Sequence, residues 1–340
     1  MDSDSIPPLV VGLAYNLKKG IISDAEDIEA EFDSYSTIEA LADVFKTAGL
    51  KAELLEADTN FTEKLKQVKP DIIFNIAEGS SGRGREAHVP AILNFLGIPF
   101  SGSDETTLCL ALDKAMAKRY LSTFGVATPA YQLVKEPDFK PDPSFKYPLI
   151  VKPNSEGSSK GISDLAVVDS DEQLCSLIAR NFRLYSQPML IEEFVDGREF
   201  TVGILGNGND TKVFEPMEIC YLREERENRV YSYTVKKNYK KYVEYSCPPL
   251  LDAAATTKMK EIALEIYKAL DCRDFSRIDF RLSRSGIVYF IEINPLPGLA
   301  PGYSDYPMLA EFCGTDYRTL VLSVLNSALR RYGMKEISMK

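Results

Sequence analysis

Apolar runs of strand length alternate with stretches of helical spacing over the first third of the chain. Pro7 and Pro8 precede LVVGLAYNL, which reads as a buried strand. Residues 25–49 carry Ile28, Phe32, Ile38, Leu41, Val44 and Phe45 at near-helical spacing, an amphipathic helix ended by Gly49. The pattern continues with strand KAELLEA, helix TEKLKQV, strand DIIFNIA, helix VPAILNFLG and a strand-like IPFSGS. Strands alternating with helices predict a parallel sheet. A first α/β domain is expected over residues 1–113.

A helix is predicted over LALDKAMAKRYLSTFG, then a four-proline loop, EPDFKPDPSFKYP, leading into the strand YPLIVKP. A Gly/Ser loop, a helix around 171–185 and the strand PMLIEEFV complete a small central domain, 114–201. The last domain, 202–340, has strands at TVGIL, DFRL and IVYFIEIN and helices at 253–270 and 317–331. The class is α/β in three parts, without internal repeats.

Composition narrows the function. The 340 residues are 45% hydrophobic and 26% charged, ordinary for a globular protein. A net charge of −10 argues against nucleic acid as a partner, though not against a small anion met by a few local cations. With one histidine, His88, a His-rich metal site is excluded and a Ser-His-Asp triad disfavoured. Fifty acidic residues leave oxygen-ligated Mg²⁺ open. The six cysteines show no metal spacing and are expected as buried free thiols. No run is long enough to span a membrane, and the N-terminus lacks a basic segment before its apolar run, so a cytoplasmic protein is expected.

Three motifs carry chemistry. In KPNSEGSSKG, Lys152 ends an apolar strand and a loop of small residues follows, so backbone N–H groups can approach phosphate oxygens. The order, lysine first and glycines after, is not that of a Walker loop; read alone, such loops are usually turns. In the second motif Arg277 and Asp279 share a strand face, as do Glu292 and Asn294. The turn SRSG between them makes a hairpin that gathers two carboxylates, an amide and a guanidinium. That set suits Mg²⁺ and a phosphoryl group, or a salt-bridged sheet face. The third, LIEEFVDGREF, suits a connecting segment whose main chain holds an adenine edge and whose carboxylate holds a ribose, or an ordinary edge strand.

In this order and spacing, the three motifs resemble the ATP-grasp superfamily and, within it, the D-alanine–D-alanine ligases. The likeness runs from about residue 71 to the end, strongest in KPNSEGSSKG, LIEEFVDGREF, RIDF and EINPLPG, with LGIPFSGSDETTLCLALDK in support. The resemblance implies ATP between the last two domains, with Lys114 and Lys152 on its phosphates under a loop of Glu156, Gly157, Ser158 and Ser159. It implies Glu192, Glu193 and Val195 at the adenine, Glu199 at the ribose, and Lys236 on a lid over the γ-phosphate. Asp279, Glu292 and Asn294 are implied as ligands of Mg²⁺, with Mn²⁺ as an alternative. Arg277, with Lys236, Ser158 and Gly298, would serve the reacting carboxylate, and Ser304 with Asp305 the amine-donating substrate. The implied activity is ATP-dependent joining of a carboxylate to an amine through an acyl phosphate. The implied partners are small-molecule carboxylate and amino-acid substrates, and the implied assembly is a homodimer.

The sequence departs from the family around the first substrate. A Gly-rich loop with its glutamate is replaced by GLAYNLKKG, and HG-x-x-GEDG by Ala77–Glu78–Gly79–Ser80–Ser81–Gly82–Arg83–Gly84–Arg85–Glu86. Lys237 stands where a lid tyrosine is usual. These changes predict a carboxylate other than D-alanine, with Glu78 as ammonium anchor, and with Arg83, Arg85, Lys18 or Lys237 favouring an acidic or larger substrate or lying on solvated loops. A plain D-alanine–D-alanine ligase and a noncatalytic ATP-binding protein are the alternatives. His88 receives no role.

Overall fold

The computed structural model describes residues 7–21, 27–157, 160, 166–222 and 230–339. Three sheets organise them. The first is parallel, ordered β2-β1-β3 from β1 (Val10–Tyr15), β2 (Lys51–Glu56) and β3 (Ile72–Asn75). The second is antiparallel, ordered β4-β7-β5-β6, from β4 (Tyr131–Val134), β5 (Leu149–Pro153), β6 (Val167–Val168) and β7 (Met189–Glu193). The third, also antiparallel, runs β11-β10-β8-β12-β13, with β9 on β8. Its strands are β8 (Gly197–Leu205), β9 (Lys212–Val213), β10 (Met217–Tyr221), β11 (Val243–Ser246), β12 (Phe275–Ser283) and β13 (Val288–Asn294). Strand β8 carries the chain straight across residues 201 and 202.

The helices of Asp171–Tyr185, Ala253–Ala269 and Tyr317–Arg331 fall where the apolar spacing predicts. Three other expectations are corrected. The helix predicted over 25–49 spans Tyr35–Thr47, because Ser34 caps it by accepting from the Thr37 N–H. Residues 25 and 26 lie outside the described residues, 27–31 form turns despite the helical spacing of Ile28 and Phe32, and Asp33 bridges to Leu17. IPFSGS forms a single bridge, Ile73 to Phe100, rather than a strand. Pro99 has no N–H to extend the ladder, and Gly102 turns the chain at φ 88°. LALDKAMAKRYLSTFG is two helices, Glu105–Leu112 and Lys114–Ser122, because Asp113 is extended and its side chain caps the second.

One apolar cluster joins β1 and helix 35–47 to Leu205, Phe275, Tyr306 and helix 317–331, so the parallel sheet shares its core with C-terminal elements. Asp274 pins the same junction. Its fully buried carboxylate accepts from Gly102 N (2.8 Å), Asn207 Nδ2 (2.6 Å) and Arg331 Nη2 (2.8 Å). None of the six cysteines is in a disulfide, and only Cys272 is buried, which corrects the expectation for the other five. Among the described residues no helix is long and apolar enough to cross a membrane.

Candidate active site

The hairpin expected at SRSG forms, and its register does the gathering. Arg277 lies opposite Asn294, and Asp279 opposite Glu292. On the other flank of β12, Asp279 faces Thr201 and Arg281 faces Glu199. Alternation along three neighbouring strands thus brings four carboxylate or amide side chains and two guanidiniums to one face.

Each of these charges has a partner. Arg277 grips Asp279 with Nε (3.1 Å) and Nη2 (2.9 Å), while its Nη1 donates to Asp305 Oδ2 at 3.1 Å. Thr201 Oγ1 donates to Asp279 Oδ1 at 2.7 Å, and Asn294 Nδ2 lies 3.4 Å from Oδ2. Asp305 also accepts from the Tyr231 and Tyr245 hydroxyls (2.9 and 3.2 Å), with Lys236 Nζ at 3.9 Å. Asp305 is therefore seated behind Arg277, whereas Ser304 Oγ faces Gly298, where a Cβ would come within 2.9 Å of it.

Lys114 Nζ stands 3.5 Å from Glu292 and donates to the carbonyl of Glu156. Its helix is laced to the loop after β5: Lys114 N and Ala115 N donate to Asn154 O (3.1 Å) and Oδ1 (3.0 Å). Burial pushes the Glu292 carboxyl up, but Lys114, Lys152, Arg277 and Lys236 outweigh it and hold it down at about 2. Burial raises Asp279, against the pull of Arg277. An ionised glutamate beside an aspartate and an amide, all oxygen donors among cations, fits a hard divalent ion such as Mg²⁺.

Glu192 is clamped between two buried lysines, Lys118 (2.7 Å) and Lys152 (2.5 Å). Burial lowers Lys118 to about 8, and the Glu192 charge opposes this. Lys118 escaped the sequence reading, lying as it does inside an ordinary amphipathic helix. Arg281 also escaped, although it continues the i, i+2 face of Arg277 and Asp279. It pairs with Glu199 at 3.0 Å and stacks 4.6 Å from the Phe194 ring centroid. Glu199 further accepts from Tyr221 at 2.7 Å.

Two cavities meet here. A narrow cleft of about 80 Å³ is lined by Lys152, Glu193, Val195, Glu199, Arg281 and Asp279, among others. A larger cavity of about 480 Å³ is lined by Glu78, Glu86, Lys114, Asn294, Gly298 and Ser304, among others. Lys236, Arg277 and Glu292 line both. Ser158 and Ser159 lie outside the described residues, while Glu156 and Gly157 line the larger cavity.

Next to Glu31 and Glu156, which line the larger cavity, the arginines differ from their sequence reading. Arg85 is buried, not solvated, and is held by Glu31 (2.5 Å), Glu156 (3.1 Å) and the Ser155 carbonyl (2.6 Å). Arg83 is exposed and bound to Asp113 at 2.7 Å. Glu31 and Glu86, which the sequence did not single out, join Glu78 there. His88 is exposed and opens helix His88–Leu96, and Lys237 sits over the Tyr233 ring.

Comparison with known proteins agrees with this geometry. Residues 120–326 match the family model for the D-ala D-ala ligase C-terminus. A D-alanine–D-alanine ligase of Aquifex aeolicus is 33% identical over 86% of this chain and 94% of its own. An uncharacterized protein of Sinorhizobium fredii, y4sG, is 32% identical over 84% of each. The fold matches a D-alanine–D-alanine ligase of Bacillus anthracis solved with ATP, with a TM-score of 0.74 over 96% of this chain and 99% of that one, at 22% identity. The chain belongs to the D-alanine–D-alanine ligase family, with the ATP-grasp fold, and is an ATP-dependent ligase.

Proposed function

We propose that the protein joins a carboxylate to an amine, taking ATP and Mg²⁺ in the cleft between residues 114–201 and 202–340 and a first substrate other than D-alanine in the larger cavity. The observation that carries this reading is the meeting of both cavities at Lys236, Arg277 and Glu292. A nucleotide in one and a carboxylate in the other would face each other across a cationic seam.

Asp279, Glu292 and Asn294 would hold Mg²⁺, which supplies charge neutralisation and alignment of phosphate oxygens when bound. Glu193 and Val195 border the adenine side, with Glu192 clamped behind them, and Glu199 borders the ribose. Lys114, Lys152 and Lys236 neutralise phosphate. A carboxylate oxygen attacks the γ-phosphorus, ADP leaves, and an acyl phosphate forms. The amine then attacks the carbonyl carbon, loses a proton, and phosphate departs with the original carboxylate oxygen. Arg277, fixed by Asp279 and Asp305, keeps its guanidinium against the developing negative charge without reorganising. The backbone of Gly298 and Ser304 border the path of the incoming amine. The residues position and neutralise; none needs to bond covalently to substrate.

Two features support a first substrate other than D-alanine. The family's histidine is lost from the stretch 77–86, Glu78 appears nearby, and Glu86 stands beside Glu78. The test is phosphate release with Mg²⁺ and ATP against amino acids and dicarboxylates, offered singly and in pairs. Maximal release with a pair other than D-alanine alone is expected. Strongest release with D-alanine alone would make this a plain D-alanine–D-alanine ligase. No release with any pair, despite ATP binding, would favour a noncatalytic binder.

A further inference from the structure

Glu31, Glu78 and Glu86 bring carboxylate oxygens within 4.8 Å of one another, the one such group of three acidic, histidine or cysteine side chains among the described residues. Their situations differ. Glu31 is engaged by Arg85 and by the Gly157 N–H. Glu86 is only 7% exposed, and Glu78 half-buried, yet among the described residues neither carboxylate has a hydrogen-bond or ion-pair partner. Both line the larger cavity. A carboxylate enclosed by protein and open only to a cavity is poorly hydrated, which a cation entering the cavity or a proton relieves. Burial first, then the neighbouring acids, pushes both carboxyls up, Glu86 to about 8.

The charges facing this end account for the imbalance. Arg85 is shared between Glu31 and Glu156, and Lys114 is turned to Glu292. Half-buried Asp33 adds further negative charge, with only exposed Lys18 near it. Lys236 and Arg277 stand where this cavity meets the nucleotide cleft, whereas Glu31, Glu78 and Glu86 line the cavity alone, and Lys114, beside Glu292, also pulls on Glu86. The cavity is thus polarised, cationic toward the nucleotide cleft and acidic away from it. A carboxylate belongs on the first side, with an ammonium on the adjacent carbon turned toward the acids and a side-chain ammonium reaching further among them. One ammonium answers one of the two unpartnered glutamates; the other requires a second.

Resting on the ligase reading above, we infer that the first substrate is a diamino monocarboxylic acid, its carboxylate toward Arg277 and its two ammonium groups taken by Glu78 and Glu86. An acidic substrate is disfavoured, because Arg83 and Arg85 are already committed to Asp113, Glu31 and Glu156. A divalent metal at the trio is disfavoured too, because the Arg85 guanidinium lies against Glu31 and would repel it. The volume, about 480 Å³, lies in the range of about 300–1,000 Å³ usual for small-molecule sites and leaves room beyond an alanine.

The experiment pairs calorimetric binding with phosphate release on the full chain. The ligands are 2,4-diaminobutyrate, ornithine and lysine, in both hands, each against its neutral analogue 2-aminobutyrate, norvaline or norleucine, with Mg²⁺ alone as a further titrant. One diamino acid is expected to exceed its neutral analogue by about 10–100-fold in affinity and in kcat/KM, the worth of one or two charged hydrogen bonds. Glu86→Gln and Glu78→Gln should each collapse that ratio about tenfold or more, chiefly through KM. Their melting temperatures should not fall, since a carboxyl whose ionised form the burial penalises is replaced by a neutral amide. Neutral analogues that bind and turn over as well as the diamino acids would overturn the inference and leave the ligase reading standing. Binding of Mg²⁺ alone that Glu86→Gln abolishes would overturn it in favour of a metal site. Diamino binding lost in Glu86→Gln, without phosphate release from any carboxylate, would uphold the inference and sink the ligase reading.

Discussion

The Arg277 end of the cavity and the Glu86 end use buried charge differently. Around Arg277 each buried ion meets its opposite: Asp279 and Asp305 on Arg277, Glu292 on Lys114, Glu192 on Lys118 and Lys152. Such a network is rigid in the free protein and suits chemistry in which groups must already point at developing charge. Around Glu86, two carboxylates crowd against Glu31, and the cations that pull on Glu86, Arg85 and Lys114, are already engaged by Glu31, Glu156 and Glu292. Charge left unmatched in a cavity is matched by what enters it. One end is built to act and the other to select.

Removing Glu192 strikes the paired end hardest. Glu192→Gln leaves two buried lysines without a carboxylate, and a loss of about 3–5 kcal/mol is expected in urea unfolding. Next is Arg277→Lys, which keeps the charge but not the fork that holds Asp279 and Asp305. A fall of about 10²–10³ in kcat is expected in steady-state phosphate release, with binding of ATP little changed. The unpaired end should behave in the opposite sense. Glu86 has a folded pKa raised to about 8, chiefly by burial, above its ordinary value of 4.5. Its protonated form is therefore the one the fold favours. The stability tied to it is complete below about 4.5 and is lost as pH rises through about 8. Thermal melts from pH 5 to 8.5 should show wild type declining more steeply than Glu86→Gln. The smallest effect is expected from Arg83→Ala: its guanidinium is exposed, and buried Asp113 keeps the Met116 N–H, so a loss of about 1 kcal/mol is expected in the same unfolding assay.

The two ends were also unequally legible in the sequence. Arg277, Asp279, Glu292 and Asn294 obey strand alternation within one hairpin, so local spacing alone predicts their shared face. Arg281 obeys it too, and could have been found by carrying the alternation one step further. The acidic end has no such period. Glu31 comes from a turn that the spacing of Ile28 and Phe32 disguises as helix; Glu78 follows β3, and Glu86 lies in the short helix Arg85–Ala87. Only tertiary packing brings these three together. For the same reason Arg85, which reads as a loop cation open to solvent, is buried against Glu31 and Glu156. Glu78 was legible only through departure from a family pattern.

The most direct test of the ligation chemistry follows an oxygen atom. The carboxylate giving most phosphate release is labelled with ¹⁸O in its carboxyl group and turned over with ATP, Mg²⁺ and the amine. The released phosphate is then weighed by mass spectrometry. One ¹⁸O per phosphate is expected, because the attacking carboxylate oxygen leaves with phosphorus when the amide forms. Phosphate free of label would mean that water, not the carboxylate, takes the phosphoryl group, and would contradict the account.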